Sequence, residues 1–323
     1  MSVSQLLQWR RAAPRRHAPL ALVSGTFDIL QPGNWAILEA AARQAPWVCV
    51  LVEPDDVAAA HAGPGRPQHA LAERAELATY LRAVSAVTSF PPQESREILR
   101  RLKPFTWVAC LNPRHADPYG DAAAATADKT AGMPAATGCF TEDIHDAIRR
   151  EQTPIRVPAA CRSASAAVET TAQKTDADAS GQVAKRLLNV TANGCFDILH
   201  IGHLRFLADA RALGDRLTVL INADASVQRF KGPTRPVFPL EFRRAALLAL
   251  ESVAQVLPFA EDTPLEALAR LKPDIHVKGG SFIEERVRAE RARVEGWAGK
   301  LAFLPLVDGY STSEFIRKVL AQK

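Results

Sequence analysis

Two histidines three residues apart, His200 and His203 in NGCFDILHIGHL (193–204), carry the clearest chemical signal in the chain. Gly202 between them removes the side chain that would block a ligand's approach to the backbone. An apolar run ends just before the pair and helical spacing begins just after it. The histidines therefore stand at a helix mouth, where free N–H groups and the helix dipole favour anions. Imidazoles titrate near neutrality and donate hydrogen bonds to phosphate oxygens. The pair could also begin a metal set, but no third Cys, His or carboxylate is placed to complete it, so no protein-held metal is expected.

Four cations accompany the histidines. Lys231 and Arg235 lie in QRFKGPTRPV, which reads as a mobile Gly/Pro-rich loop; Arg243 begins a helix, and Lys278 ends a strand in DIHVKGG. Directed at one rim, they would clamp phosphates, which is nearly all that phosphoryl or nucleotidyl transfer asks of a protein.

The elements that must position these groups alternate. LLNVTAN (187–193), RLTVLIN (216–222), VAQVLPF, DIHVKGG and LAFLPL read as strands. Between them, LRFLADARAL, LEFRRAALLALESV and TPLEALARLK read as helices, the last capped by Thr263 with Pro264 in its first turn, and TSEFIRKVLAQK closes the chain. Strand–helix alternation implies an α/β fold, a doubly wound, Rossmann-like parallel sheet with ligands at the carboxyl ends of its strands.

The loop occurs twice. SGTFDILQPGNW (24–35) aligns with NGCFDILHIGHL at an offset of 169, and 28 of the 87 positions from Ser24 to Cys110 are identical without a gap. That is too many for chance at one fixed offset, so the chain is a tandem duplication of one domain. Residues 1–150 form the first copy, 151–186 a polar linker rich in Ala, Ser, Thr and Asp, and 187–323 the second copy. The stretch 121–136 reads as an Ala-rich loop.

A length of 323 residues, 47% hydrophobic and 23% charged, suits two globular domains. The net charge of +5 suits an anionic small substrate; the one dense basic cluster, WRRAAPRRH (9–17), reads as a solvated extension, so no nucleic-acid partner is expected. No apolar run has membrane-spanning length, and the five scattered cysteines form no C-x-x-C pair. A cytoplasmic protein with no membrane contact is expected.

The histidine loop, KGPTRPV, Arg243 and DGYSTSEFI together resemble the cytidylyltransferase-like nucleotidyltransferase superfamily. Over roughly residues 187–320, INADASVQRFKG, EDTP and DIHVKGG resemble the adenylyltransferase domains of ADP-heptose synthases. The resemblance implies an enzyme that transfers AMP from ATP to a heptose 1-phosphate type of sugar 1-phosphate. Pyrophosphate is released, and Mg²⁺ arrives with the nucleotide. It implies that His200 and His203 stabilise the transition state at the α-phosphorus, and that Lys231 neutralises phosphate charge. It places Arg235 and Arg243 on phosphate oxygens. Gly194, Cys195, Phe196, Asp197 and Gly202 would form the loop, with Asp197 a hydrogen-bond partner rather than a base. Lys278 and Gly279 would line the nucleotide side, and Ser311 and Thr312 would meet phosphates at the last helix. The alternative is a cytidylyltransferase that makes a CDP-alcohol from glycerol 3-phosphate or phosphoethanolamine; a non-catalytic nucleotide sensor is a third reading.

The first copy keeps Gly25, Phe27, Asp28 and Gly33 but carries Gln31, Asn34, Ala62 and Ala109 where the second has His200, His203, Lys231 and Lys278. It is expected to be inactive, either binding a nucleotide regulator through Arg66 and Arg74 or packing as a built-in pseudo-dimer partner; a homodimer is the other arrangement considered.

Overall fold

Each copy of the repeat builds a five-stranded, all-parallel sheet. The computed structural model describes residues 1–12, 14–62, 66–111, 118–127, 129–134, 141–150, 186–280, 284–305, 307 and 309–321. The expected linker thus lies outside the described residues, except for Arg186. Contacts divide the chain into two compact units, one within residues 1–146 and the other holding residues 186–321.

The first unit runs α1 (Val3–Arg11), β1 (Leu20–Gly25), α2 (Pro32–Gln44), β2 (Trp47–Val52), α3 (Asp55–Ala62), α4 (Leu71–Thr79), β3 (Ala86–Thr88), α5 (Pro92–Leu102), β4 (Thr106–Leu111), α6 (Gly120–Ala124), β5 (Lys129–Pro134) and the greater part of α7 (Thr141–Arg149). The second runs β6 (Asn189–Gly194), α8 (Ile201–Ala212), β7 (Arg216–Asn222), α9 (Asp224–Lys231), α10 (Leu240–Leu248), β8 (Gln255–Phe259), α11 (Leu265–Leu271), β9 (Ile275–Gly279), α12 (Glu284–Glu295), β10 (Lys300–Leu304) and α13 (Thr312–Ala321). The strand orders are β3-β2-β1-β4-β5 and β8-β7-β6-β9-β10, the same order twice. In each sheet the first strand lies at the order reversal, so the loop leaving it opens onto the crevice where ligands of such sheets bind.

That loop is held the same way in both units. Phe27 (φ 51°) and Phe196 (φ 45°) sit in the left-handed region, which a bulky residue keeps only when its surroundings hold it there. The next residue supplies part of the hold. Asp28 accepts from the N–H groups of Gln68 and His69 (2.9 and 3.0 Å), and Asp197 accepts from those of Val237 and Phe238 (2.8 and 3.0 Å).

A buried arginine supplies the rest. Arg243 donates to the carbonyls of Phe238, Cys195 and Asn222 and to Asp224 at 2.6–3.0 Å. Arg74 donates to those of His69, Thr26 and Glu53 and to Asp55 over the same range. Every partner of one is the partner of the other shifted by 169 residues.

Several local expectations are corrected. Part of the supposed extension at 9–17 is structural: α1 buries Leu6 and Leu7, and the Arg15 guanidinium lies 5.0 and 5.4 Å from the ring centres of Trp9 and Trp47. The cluster reads as basic, but its long side chains cover aromatic surface. The Ala-rich stretch contains α6 and β5 rather than a plain loop. The cap residue of α11 is Pro264, not Thr263. Lys231 ends α9, closed by Gly232 at φ 95°, so the stretch read as a mobile loop begins as helix.

Candidate active site

The second unit gathers its chemistry at the carboxyl end of β6. His200 is the N-cap of α8, with extended backbone (φ −134°, ψ 167°), and His203 sits in the first helical turn. Their imidazoles stack at 3.7 Å between centres and 24° between planes, with Tyr310 beyond His200 at 6.2 Å and Phe196 edge-on to His203 at 5.3 Å. Gly202 leaves room beside the stack: a Cβ there would crowd His200 Nδ1 at 3.2 Å and touch Tyr310 Cβ at 3.4 Å.

Burial, followed by the neighbouring His200, pushes the pKa of His203 well below its ordinary value, against the opposing pull of the Ile198 carbonyl. The second proton of such a pair is hard to hold until an anion arrives.

A cavity of about 260 Å³ adjoins the stack. Of the residues picked out from sequence, it brings together Cys195, Phe196, Asp197, His200, Gly202, His203, Lys231, Arg235, Ser311 and Thr312. Arg235 donates from Nε to Asp197 at 2.7 Å, so the carboxylate orients the guanidinium while taking two backbone N–H groups with its other oxygen. Asp197 is thereby committed to hydrogen bonds and is not placed to act as a base. Ser311 Oγ accepts from the N–H of Glu314 at 3.0 Å and caps α13, and the Thr312 hydroxyl reaches the Ile198 carbonyl at 3.4 Å. Burial raises the pKa of the Cys195 thiol despite the nearby cations of Lys231 and Arg243, which leaves it a protonated wall of the cavity.

Four expected site residues lie elsewhere. Gly194 packs beneath the Phe196 ring, where a Cβ would meet Cε2 at 3.0 Å. Arg243 is fully enclosed and its N–H groups go to protein acceptors, so the expected phosphate contact is corrected to a scaffold role. Arg74 is likewise enclosed, which removes it as a contact for a regulator. Lys278 is paired with Glu290 at 2.8 Å and donates to Asn193 at 2.9 Å, and neither it nor Gly279 lines the cavity. The cavity also contains Val307, Tyr310 and Ser313, which the sequence reading passed over although DGYSTSEF holds two of them.

In the first unit Gln31 and Asn34 replace the histidines and both are 6% exposed. The Asn34 carbonyl oxygen accepts the Gln31 N–H at 3.1 Å, so this side chain caps its own helix.

The cytidylyltransferase-like family model matches residues 22–119 and 191–318, one segment in each unit and more than half of the chain. The chain belongs to the cytidylyltransferase-like family. It is accordingly a nucleotidyltransferase, a transferase with a Rossmann-like α/β fold. The bifunctional protein HldE of Aeromonas hydrophila is 51% identical over 130 residues, 40% of this chain and 27% of that protein. HldE of Hahella chejuensis is 50% identical over 130 residues, again 40% and 27%. The chain thus spans about a quarter of the length of these curated relatives. Among solved structures, a lipopolysaccharide core biosynthesis protein from Thermoplasma volcanium is 27% identical, covering 39% of this chain and all of that one, with a TM-score of 0.33. Among the described residues no helix is long and apolar enough to cross a membrane.

Proposed function

We propose that the second domain, residues 187–323, transfers AMP from ATP to a sugar 1-phosphate of the heptose 1-phosphate type, forming an ADP-sugar and pyrophosphate. The observation that carries this reading is the stacked pair His200 and His203 sharing one cavity with Lys231, Arg235 and the start of α13. The heptose assignment is supported by about 50% identity to HldE over the C-terminal part.

The acceptor is already an anionic phosphate, so no base is needed. Its oxygen attacks the α-phosphorus in line, a new P–O bond forms, and the bond to the bridging β-phosphate oxygen breaks with its electron pair leaving on pyrophosphate. His200 and His203 donate to the phosphate oxygens as negative charge shifts between them. Lys231 and Arg235 balance the polyphosphate, and the N-terminal end of α13 presents Ser311 and Thr312.

Among the described residues no group of three His, Cys, Asp or Glu could hold a metal, and Asp197, the carboxylate lining the cavity, is engaged with N–H donors. This donor set fits Mg²⁺ carried by the nucleotide's phosphates and water, as that ion prefers, rather than by protein ligands. The bound ion would supply charge neutralisation.

The first domain, residues 1–150, is proposed to be catalytically inactive, since Asn34 is spent on a helix cap and Ala62 stands where Lys231 does. The test is pyrophosphate release from ATP or CTP with a panel of sugar 1-phosphates and alcohol phosphates. Turnover with ATP and a heptose 1-phosphate is expected. Turnover confined to CTP with an alcohol phosphate would replace the reading with the cytidylyltransferase one.

A further inference from the structure

The duplication offers an internal control that separates side chains needed to fold the loop from side chains needed for something else. The Asp and Arg holds described above occur in both units. A second polar network occurs in one.

Under the second sheet's order reversal, Thr191 Oγ1 and His276 Nδ1 share a hydrogen bond at 2.8 Å, and His276 Nε2 lies 3.3 Å from Glu290 on α12. Glu290 in turn pairs with Lys278 on β9 (2.8 Å to one oxygen, 3.0 Å to the other), and Lys278 donates to Asn193 Oδ1 at 2.9 Å. The chain of contacts ends on the residue before Gly194, where β6 gives way to the histidine loop. His276 is wholly buried and Glu290 is 7% exposed. Burial alone would raise the carboxyl of Glu290, but His276 and Lys278 outweigh it and hold it ionised, as a pairing role requires.

At the matching positions of the first unit, Thr191, Asn193, His276 and Lys278 are replaced by Leu22, Ser24, Trp107 and Ala109. Leu22 and Trp107 are packed into the apolar core and paired in register across β1 and β4, as Thr191 and His276 are across β6 and β9. The first unit nevertheless makes the same left-handed Phe turn and the same Asp and Arg bonds. The loop therefore folds without this network, which occurs in the copy that also carries the two histidines.

We infer that Glu290 is a positioning residue of the second domain, fixing through Lys278 the Asn193 end of β6 from which the histidine loop departs. The inference rests on the proposed reaction for its kinetic consequence and on geometry alone for its dynamic one. A rigid departure point keeps the His200–His203 stack in register with the α-phosphorus, and a small misplacement there lowers turnover more than binding.

The experiment uses the full chain with Glu290→Gln, Lys278→Met and the double variant, followed by hydrogen–deuterium exchange and steady-state kinetics. Amides of residues 195–199 are expected to exchange about tenfold faster in each variant, while those of residues 26–30 keep their rates. The turnover number is expected to fall about tenfold with KM for ATP within about twofold, and the double variant to be no worse than either single one. If Glu290→Gln does not fold, the double variant, which removes both charges together, gives the same readout. Unchanged exchange at 195–199, or acceleration spread evenly over β6, β9 and α12, would overturn the inference. A wild-type chain without turnover on any substrate pair would sink the proposed function and leave the exchange result to decide this one.

Discussion

Arg74 and Arg243 lie 169 residues apart in the chain and make the same four hydrogen bonds, each to partners that are themselves 169 residues apart. Both guanidiniums are enclosed, so their shared job is to hold the loop after the first strand. Arg243→Ala should destabilise the second unit by about 3–5 kcal/mol, because three carbonyls and Asp224 lose their partner. Arg74→Ala should do the same to the first unit. Urea unfolding checks both; an Arg243→Lys variant that raises KM for ATP at unchanged stability would return this arginine to the phosphates.

The duplication also names the least disruptive way to disarm the site. His200→Gln and His203→Asn install the residues that the first unit already accommodates, so the fold should persist. Loss of each donor is expected to cost about 10²–10³ in turnover. The reverse exchange, Gln31→His with Asn34→His, should give no turnover from the first unit, because Ala62 leaves it without the counterpart of Lys231. Circular dichroism and pyrophosphate release measure the two halves of this expectation.

Gly202→Ala puts a methyl 3.2 Å from His200 Nδ1. The helix should gain slightly from alanine while the imidazole is displaced, so stability and activity should move in opposite directions. A turnover loss of about tenfold at unchanged or higher Tm is expected.

The two units should respond oppositely to pH. His203 has a folded-state pKa lowered by burial and by His200, so the unfolded chain binds its proton more readily. Its contribution is present above about 6.5 and is lost as pH falls through that value. In the first unit burial would lower His69, but the hydrogen bond and charge of Asp28 outweigh it and raise its pKa. That contribution is present below about 6.5 and is lost as pH rises through the elevated folded value. Asp28 is depressed by the same pair despite its burial, so its share is lost as pH falls through its lowered pKa. Thermal melts of His203→Asn and His69→Phe against pH should flatten the corresponding slopes. Nucleotide binding should be accompanied by net proton uptake, seen by calorimetry in buffers of different ionisation enthalpy.

Much of the fold was legible because the duplication prints it twice. Alternation of short apolar runs with helical spacing marks a parallel sheet, and the offset of 169 aligned loop with loop. The misread cations share one cause. Charge in a sequence says nothing about where a side chain's N–H groups end. Arg243 and Lys278 read as phosphate contacts, yet one is consumed by backbone carbonyls and the other by Glu290. Glu290 itself lies in EERVRAERARVE, which the sequence reading leaves without an element between DIHVKGG and LAFLPL. Tyr310 went unremarked because stacking on His200 depends on a contact across more than a hundred residues.

By itself, the sequence determined the strand–loop–helix cradle, its duplication and the copy in which the histidines survive, since these follow from local pattern and residue type. The tertiary structure decided which cations face the cavity and which are spent inside the scaffold. That choice depends on which acceptors the packed chain brings within about 3 Å of each donor, and no local pattern encodes it.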